Sequence, residues 1–193
     1  CVRGRDVGAF ALDTPLRALL PYRAGQLVDP EALARLPRTR AYLEEQRAAL
    51  EAREHGRFAG DTFYRWGRPQ NLAWLLDRAP KAIVPDAARH GRAALDDQGR
   101  LVIDTAYAIR TRDSRVPLGL ILAVLNSPVV AMWLTATGLP LRGGYFRMKT
   151  AYLSSLPLGA PTSPGARDVA AAALAPDVDP DALAKSVLAL YGL

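Results

Sequence analysis

The chain has 193 residues, of which half are hydrophobic and 23% are charged, and this apolar fraction excludes disorder of the whole chain. Since a folded chain of about 150 residues already buries roughly 68–70% of its unfolded surface, neither disulfides nor metals are needed to hold this one together. One cysteine and two histidines exclude a disulfide scaffold and a usual structural zinc site. The net charge is +6, with 22 arginines and 3 lysines on the basic side, which suggests a polyanionic partner but fits nucleotide bias in the source genome equally well.

Residues 29–53 have the clearest helical pattern. Asp29 is predicted to cap a short helix that starts at Pro30, and Pro37 interrupts that helix. A second helix is predicted over residues 38–53. The positions that fall on one stripe of this helix are Tyr42, Gln46, Ala49, Leu50 and Arg53. The predicted i,i+4 ion pairs are Arg40 with Glu44 and Arg47 with Glu51, and their alternating signs indicate a solvated face.

Aromatic residues cluster between residues 55 and 80, where the helical periodicity fails. The cluster consists of Phe58, Phe63, Tyr64, Trp66 and Trp74. It surrounds residues 66–71, which we interpret as an ordered loop. Trp66, Trp74 and Trp133 are assigned to the core rather than to base stacking.

Strand patterns follow from residue 81. Residues 82–84 form a short buried run, and residues 93–96 and 101–105 flank a turn at residues 97–99. Asp96 and Asp97 could bind a metal or act as acid and base, but their position beside Gly99 favours a solvated turn. Residues 107–112 alternate, with Tyr107 and Ile109 expected inside and Arg110 and Arg112 outside.

Residues 116–141 carry no charge, so a membrane span has to be considered. Asn126, Ser127 and Pro128 interrupt the apolar run, and Ser127 followed by Pro128 is typical of a helix start. We therefore predict two buried helices, Leu118–Leu125 and 128–137, neither of which is long enough to cross a bilayer. A soluble protein without a membrane partner is expected.

Residues 142–149 combine glycine, aromatic and basic residues. If the chain is extended from Tyr145, then Tyr145, Arg147 and Lys149 share one face, while Phe146 and Met148 share the other. Gly143 and Gly144 would let the backbone approach a phosphate closely. A glycine hairpin beside an edge strand kept soluble by its charges explains the pattern equally well.

The C-terminal part differs in composition and charge. Residues 159–167 are rich in Gly, Pro, Ser and Thr and are predicted to be a linker. An Ala-rich helix follows, and Asp179 with Pro180 starts a final amphipathic helix that runs through Leu190 and stops at Gly192. Residues 160–193 carry two basic and four acidic groups, whereas residues 116–159 carry three basic and no acidic ones.

The motifs of several enzyme classes are absent from the sequence. It contains no Gly-x-Gly-x-x-Gly loop, no Walker-type loop and no nucleophile elbow. His55 and His90 have no evident partners, and no carboxylate cluster suggests a metal-dependent nuclease. We therefore predict no catalytic residue and no metal site in this chain, and interpret it as a recognition module.

An ordered set of short motifs resembles the TaqI-like C-terminal specificity domain, over roughly residues 2–158. The motifs are Arg3-Gly4-Arg5-Asp6, Tyr42-Leu43 with Leu50 and Arg53, Trp66-Gly67-Arg68, Pro80-Lys81-Ala82-Ile83-Val84-Pro85, Leu125-Asn126-Ser127, Leu141-Arg142-Gly143-Gly144-Tyr145, and Tyr152-Leu153 before Leu156-Pro157. Each motif is weak alone, and their order and spacing together are fairly specific. Such domains select the target sequence of adenine-specific DNA methyltransferases in restriction–modification systems, including enzymes that also carry a nuclease.

The resemblance implies that the chain clamps duplex DNA against a separate catalytic domain in the bacterial cytoplasm. That domain would bind S-adenosylmethionine and methylate the exocyclic amine of a flipped adenine. The chain lacks the Asn/Asp-Pro-Pro-Tyr/Phe motif that holds the flipped base, so we expect no cofactor here and no methylation by this chain alone. It begins without methionine and without a secretory signal, which suggests a piece of a longer protein with the catalytic domain upstream.

Within this resemblance, Arg68 and the Arg142 to Tyr145 turn match family motifs near the DNA. The candidate DNA-binding residues are Arg68, Gln70, Asn71, Arg142, Gly143, Gly144, Tyr145, Arg147 and Lys149. Those expected to contact mainly phosphate are Arg68, Arg142 and Lys149, and those with the geometry to read base edges are Gln70, Asn71 and Arg147. Tyr145 would stack or contact the backbone.

The sequence therefore predicts an α+β fold with a small mixed or antiparallel sheet from strands within residues 81–111 and 145–153. Helices are predicted to pack against this sheet, and a helical tail is predicted to follow. Residues 1–158 are predicted to form the target-recognition domain, and residues 159–193 the linker and tail. The alternatives to a methyltransferase domain are a free-standing specificity subunit and a protein-interaction module whose basic strip docks an acidic partner.

Overall fold

The computed structural model describes residues 1–100, 102–103 and 105–193. The chain divides into two compact units, of which the small unit comprises Ala18–Asp77 and the main unit comprises Cys1–Arg17 with Arg78–Leu193. Helices and short antiparallel strands occur in both units, so the α+β prediction is confirmed.

The small unit combines a hairpin with four short helices. Strands β1 (Tyr22–Arg23) and β2 (Gln26–Leu27) pair antiparallel. The helices are α1 (Pro30–Ala34), α2 (Pro37–Glu45), α3 (Arg47–Glu51) and α4 (Leu72–Leu76). The Asp29 carboxylate accepts a hydrogen bond of 2.7 Å from the Ala32 N–H, as expected of a cap before Pro30.

The single helix predicted over residues 38–53 is wrong in two respects. It breaks at Gln46 between α2 and α3, and its buried face is not the predicted stripe, because Leu43 is buried whereas Tyr42 is 54% exposed. Leu43 packs with Leu33 and the aromatic residues Phe63 and Tyr64. These contacts come from distant segments, so helical periodicity alone could not indicate the face they cover.

The charged surface of these helices is only partly as predicted. Arg47 makes the expected ion pair with Glu51, with Nε 3.0 Å from Oε1. Glu44, however, pairs with Arg47 at 3.2 Å instead of the predicted Arg40. Arg47 therefore pairs with two carboxylates, that of Glu44 on α2 and that of Glu51 on α3.

Residues 66–71 form no helix or strand, and the nearby aromatic residues Phe58, Phe63 and Tyr64 are buried. Trp74 is an exception, because it lies on α4 with 36% of its surface exposed, so its core assignment is wrong. Trp66 is half-buried, with its ring 5.4 Å from that of Tyr22 in an edge arrangement. Trp133 is also half-buried, as expected of large amphipathic rings.

The described residues of the main unit form two three-stranded antiparallel sheets rather than the one sheet predicted. Its strands are β3 (Lys81–Pro85), β4 (Ala87–Ala88), β5 (Ala94–Asp96), β6 (Ala106–Ile109), β7 (Pro140–Leu141) and β8 (Tyr145–Arg147). One sheet has the order β5-β3-β6, and the other has the order β4-β8-β7. The predicted strand over residues 145–153 ends at Arg147, and a helical turn, α7 (Thr150–Leu153), takes its place.

The predicted buried run at residues 82–84 is confirmed, since all five residues of β3 are buried. The sequence predicts strands on both sides of the turn at residues 97–99, and on the first side β5 forms and pairs with β3. Leu101 and Asp104 lie outside the described residues, and Val102 makes a parallel bridge to Val2. A turn signal such as residues 97–99 predicts the local bend but not which strand is the partner.

The uncharged segment forms two helices with the predicted bounds, α5 (Leu118–Leu125) and α6 (Pro128–Thr137). The Val129 N–H donates to the Ser127 hydroxyl at 3.3 Å, which makes Ser127 the cap of α6. No helix in the described part of the chain is long and apolar enough to cross a membrane by itself, and the α5–α6 pair is bent by 71° at its break.

The C-terminal helices are α8 (Pro164–Ala172) and α9 (Pro180–Leu190), and Asp179 caps α9 as predicted. Their buried side chains belong to the same hydrophobic cluster as α5, β3 and Met148. The members from α8, α9 and the turn after α8 are Ala166, Val169, Ala170, Ala173, Leu183 and Val187. The boundary between residues 158 and 159 stays a prediction, and the residues beyond it contribute to the core of the main unit.

Candidate nucleic-acid interface

The glycine turn between β7 and β8 projects into open space. Residues 142–144 form a tight turn, in which Gly143 and Gly144 both have φ of +75°. Residues that carry a Cβ rarely adopt this left-handed backbone conformation, which explains why both positions are glycine. A Cβ built at Gly144 would meet nothing within 4 Å. The turn is therefore a glycine hairpin whose backbone a large ligand can approach.

The residues after this turn alternate as predicted between exposed and buried positions. Tyr145 and Lys149 are exposed, whereas Met148 is fully buried and Phe146 packs partly against the main core. Arg142 is also exposed. We call the stretch Arg142 to Lys149 the basic strip. Its apolar face is fixed by the core, and Arg142, Tyr145 and Lys149 face outward.

Arg147 differs from the other cations of the basic strip because it is engaged within the protein. Its Nη1 forms an ion pair with Oδ2 of Asp86, and 39% of its side chain is exposed. The other carboxylate oxygen of Asp86 accepts a hydrogen bond of 2.9 Å from the Tyr107 hydroxyl. Burial and the Asp86 hydrogen bond raise the pKa of Tyr107, so its hydroxyl keeps its proton at neutral pH.

Arg89 adds a cation to the strip that sequence reasoning missed. Strand β4 pairs with β8 so that Ala87 faces Arg147 and Ala88 faces Phe146. The next residue, Arg89, then lies with its guanidinium carbon 5.0 Å from the centre of the Tyr145 ring. A two-residue strand has no periodicity, so no sequence signal identified this pairing. The stacking orients the exposed Tyr145 ring and keeps the positive charge beside it.

The remaining candidates lie in the small unit, in the loop before α4. Arg68 is 75% exposed, with Nε 3.6 Å from Oε1 of Glu54. Gln70 and Asn71 are exposed, and Asn71 precedes α4 with φ of +52°. The structure thus groups the nine predicted residues into two sets, one in each unit: Arg68, Gln70 and Asn71 in the small unit, and the six others in the basic strip.

The expectation that Asp96 and Asp97 both lie in a solvated turn is wrong for Asp96. Asp96 is fully buried, with Oδ2 2.7 Å from Nζ of the equally buried Lys81. Asp97 is exposed as predicted. Within the described residues, no group of three or more His, Cys, Asp or Glu side chains could hold a metal ion.

A known protein family matches nearly the same residues as those that the motifs cover. Residues 3–158 match the TaqI-like C-terminal specificity domain. The chain belongs to this family. One relative of this specificity domain, the Type II methyltransferase M.PaeR7I of Pseudomonas aeruginosa, is 29% identical over 173 residues, which are 88% of this chain and 29% of the relative. The chain therefore spans less than a third of the length of the relative that it matches.

The match confirms the resemblance read from the motifs, and the structure shows that some of those motifs support the fold of the specificity domain. The Asn126 amide hydrogen-bonds both the N–H and the carbonyl of Ala93, at 2.9 Å each. A Cβ at Gly4 would lie 2.1 Å from the Thr105 carbonyl oxygen. These two motifs hold backbone segments together, whereas the motif at Arg142 to Tyr145 is exposed.

Proposed function

We propose that this specificity domain recognises a sequence in duplex DNA on behalf of an adenine-specific methyltransferase of a restriction–modification system. The observation that carries the proposal is the basic strip, in which Arg142, Tyr145 and Lys149 are exposed around an open glycine turn. Residues 116–159 contain no acidic residue, and Asp86, which lies outside this segment, pairs with Arg147. An exposed turn of this kind can follow a phosphate backbone, because both its side chains and its backbone N–H groups donate hydrogen bonds.

The exposed cations and the half-buried arginine are proposed to have different roles. Arg142, Lys149 and, in the small unit, Arg68 would contact phosphates and supply affinity that falls with salt. Arg147 would read a guanine edge, and Gln70 and Asn71 would read adenine edges. Gly143 and Gly144 allow the close backbone approach, and Tyr145 would stack or contact the sugar–phosphate backbone.

The methylation itself is proposed to occur in a separate domain in the same cytoplasmic protein or complex. This chain has neither a glycine-rich cofactor loop nor the Asn/Asp-Pro-Pro-Tyr/Phe motif. We propose that S-adenosylmethionine binds in the catalytic domain rather than in this chain. The relative M.PaeR7I is described as a Type II methyltransferase, which supports a methyltransferase partner for this domain.

Salt-dependent binding of labelled duplex DNA tests the proposal. We expect binding to weaken linearly on a log–log plot against salt concentration, because each phosphate contact releases counterions. Lys149→Ala should weaken binding to all sequences alike and make the slope shallower by about 1. Lys185→Ala, which removes the same charge from an exposed position on α9, is the matched control and should change neither quantity.

Binding that does not depend on salt, or equal effects of the two lysine variants, would contradict this function. The same would hold if an acidic protein, but no polyphosphate, competed for the basic strip. That second result would favour the docking of a protein partner instead.

A further inference from the structure

Asp86 occupies a position fixed by backbone hydrogen bonds on both sides. It follows β3 directly, and its N–H donates to the Thr105 carbonyl at 2.7 Å. Its own carbonyl accepts from the Met148 N–H at 2.8 Å, immediately after Arg147. The backbone of Asp86 is thus tied to the end of β8, which fixes the point from which its side chain extends.

The carboxylate of Asp86 is shared between two side chains from different strands. Tyr107 on β6 donates to Oδ1, and Arg147 on β8 donates to Oδ2. The Asp86 side chain is 19% exposed, less than the 39% of Arg147. The carboxylate is therefore more buried than the guanidinium with which it pairs.

This arrangement leaves one part of the Arg147 guanidinium available. In the part of the chain that the structure describes, the guanidinium hydrogen-bonds through Nη1, while Nε and Nη2 make no hydrogen bond to the protein. A guanidinium recognises guanine with two parallel N–H groups in a fixed fork. An arginine held at one nitrogen presents the remaining fork in a single orientation, whereas an unsupported arginine samples many rotamers.

We propose that Asp86 is a positioning residue for DNA sequence selection, which orients Arg147 toward a base edge without contacting DNA itself. The inference rests on the proposed function, since it requires that the basic strip binds duplex DNA. Tyr107 is the second support, because its hydroxyl fixes the carboxylate from the other side.

A positioning carboxylate has an effect that a purely structural residue does not have. It neutralises the charge of Arg147 and repels phosphates, so it lowers affinity for DNA in general. At the same time, the carboxylate raises the preference for one base, because it keeps the free N–H groups of the Arg147 guanidinium in one orientation. Removing the carboxylate should therefore reduce selectivity while non-specific binding is maintained or strengthened, whereas local unfolding would weaken both.

The experiment uses the 193-residue chain and a pool of duplex DNA with a randomised central segment. The bound fraction is sequenced for the wild type and for Arg147→Ala, Asp86→Asn and Tyr107→Phe. Asp86→Asn should lower the preference about tenfold at the base positions that Arg147→Ala also affects. Affinity for poly(dI-dC), measured in parallel, should stay the same or rise. Tyr107→Phe should act at the same positions with a smaller effect.

The matched control is Asp113→Asn, which makes the same charge change in an exposed ion pair of the same unit. It should raise non-specific binding at most slightly and leave every base preference unchanged. The proposal is overturned if Asp86→Asn retains the wild-type preference, or if it alters the same positions as Asp113→Asn.

The design also separates this inference from the proposed function. If the wild type binds no DNA, the proposed function fails. If the wild type selects a sequence and Arg147→Ala leaves that selection intact, only the present inference fails. Thermal melting of each variant identifies any that does not fold; should Asp86→Asn be such a variant, Tyr107→Phe decides, and an unchanged base preference in it overturns the proposal.

Discussion

The buried ion pair between Lys81 and Asp96 is the residue-scale feature that most affects stability. The two residues face each other across β3 and β5, and neither side chain is exposed. Asp96 also accepts hydrogen bonds from the backbone N–H groups of Gln98 and Arg100 and from the Arg100 guanidinium. Because the carboxylate has this many donors, its charge is compensated, and among the described residues Asp96 is the carboxylate that pairs with Lys81. Removing either member would leave a buried charge, which is far more costly than losing an exposed pair.

Burial alone would raise the pKa of Asp96, but the hydrogen bond from Lys81 and those from the two backbone N–H groups outweigh it. The pKa of Asp96 in the folded protein is therefore below its ordinary value. A carboxyl group with a lowered folded pKa stabilises the fold above its unfolded pKa of about 3.9. That contribution is lost as the pH falls through the lower, folded value.

We predict that Asp96→Asn lowers the free energy of unfolding at pH 7 by about 3 kcal/mol. The difference from the wild type should shrink once the pH falls below about 4, because the wild-type carboxyl then takes up a proton in the unfolded chain and, at lower pH, in the folded protein as well. Urea unfolding followed by circular dichroism between pH 7 and pH 3 measures both quantities. Asp113→Asn, in an exposed pair, should have a much smaller effect at pH 7. A difference for Asp96→Asn that stays constant over this pH range would show that the ion pair is not its cause.

At the scale of elements, the contact between α5 and α8 depends on Gly119. A Cβ built at Gly119 would lie 2.2 Å from the carbonyl oxygen of Ala170 and 3.0 Å from Cγ of Leu174. The first of these atoms is backbone and cannot rotate away. The small residues Ala166 and Ala170 on α8 are both buried, so the two helices approach closely over more than one turn.

Gly119→Ala is therefore predicted to destabilise the protein by about 1–3 kcal/mol, although alanine favours helices by about 1 kcal/mol over glycine. Gly165→Ala is the matched control on α8, where the new Cβ would meet only the end of the Leu190 side chain, at 3.2 Å. That variant should be neutral or slightly stabilising. Equal melting temperatures for the two variants in a thermal scan would contradict the close approach of α5 and α8.

The sequence predicts elements well where the signals are local. The bounds of α5 and α6 follow from Pro117, from the Ser127 cap and from Pro128, all of which lie within one turn of a helix end. The two-sheet arrangement could not be predicted, because β4 and β7 have two residues each and carry no alternation. The pairing of β5 with β3 was missed for a related reason: strand partners depend on long-range packing, whereas the turn at residues 97–99 reports only the local bend.

The same distinction applies to the candidate site. The outward positions of Tyr145 and Lys149 follow from alternation over five residues, and the structure agrees. The environment of Arg147 could not be predicted, because Asp86 lies 61 residues away in the sequence and is brought to it by β4 and β8. Arg147 therefore looks in the sequence like the two other cations of the strip, and its engagement with Asp86 appears only in the folded protein.

At the scale of the whole molecule, the C-terminal helices decide whether residues 1–158 suffice for the main unit. Val169 on α8 and Leu183 and Val187 on α9 are buried in the cluster that also contains Leu120 and Val124 of α5. Each such side chain contributes about 1.5–3 kcal/mol by leaving water. Three of them approach the net stability of a typical domain, which is about 5–15 kcal/mol. A predicted domain that ends at residue 158 would expose the apolar face of α5.

We therefore predict that the chain truncated after Leu158 does not unfold cooperatively on heating and binds a dye that reports exposed apolar surface. The matched control keeps every residue but introduces a protease site within residues 159–163, in the segment before α8. After cleavage, the C-terminal fragment should co-elute with the rest of the chain in gel filtration, because the buried contacts hold it without a peptide bond. If residues 1–158 melt cooperatively at the full-length temperature, the last two helices are an accessory to the fold. If the cleaved fragment dissociates while the rest stays folded, the same conclusion follows, and the predicted domain boundary after residue 158 is supported.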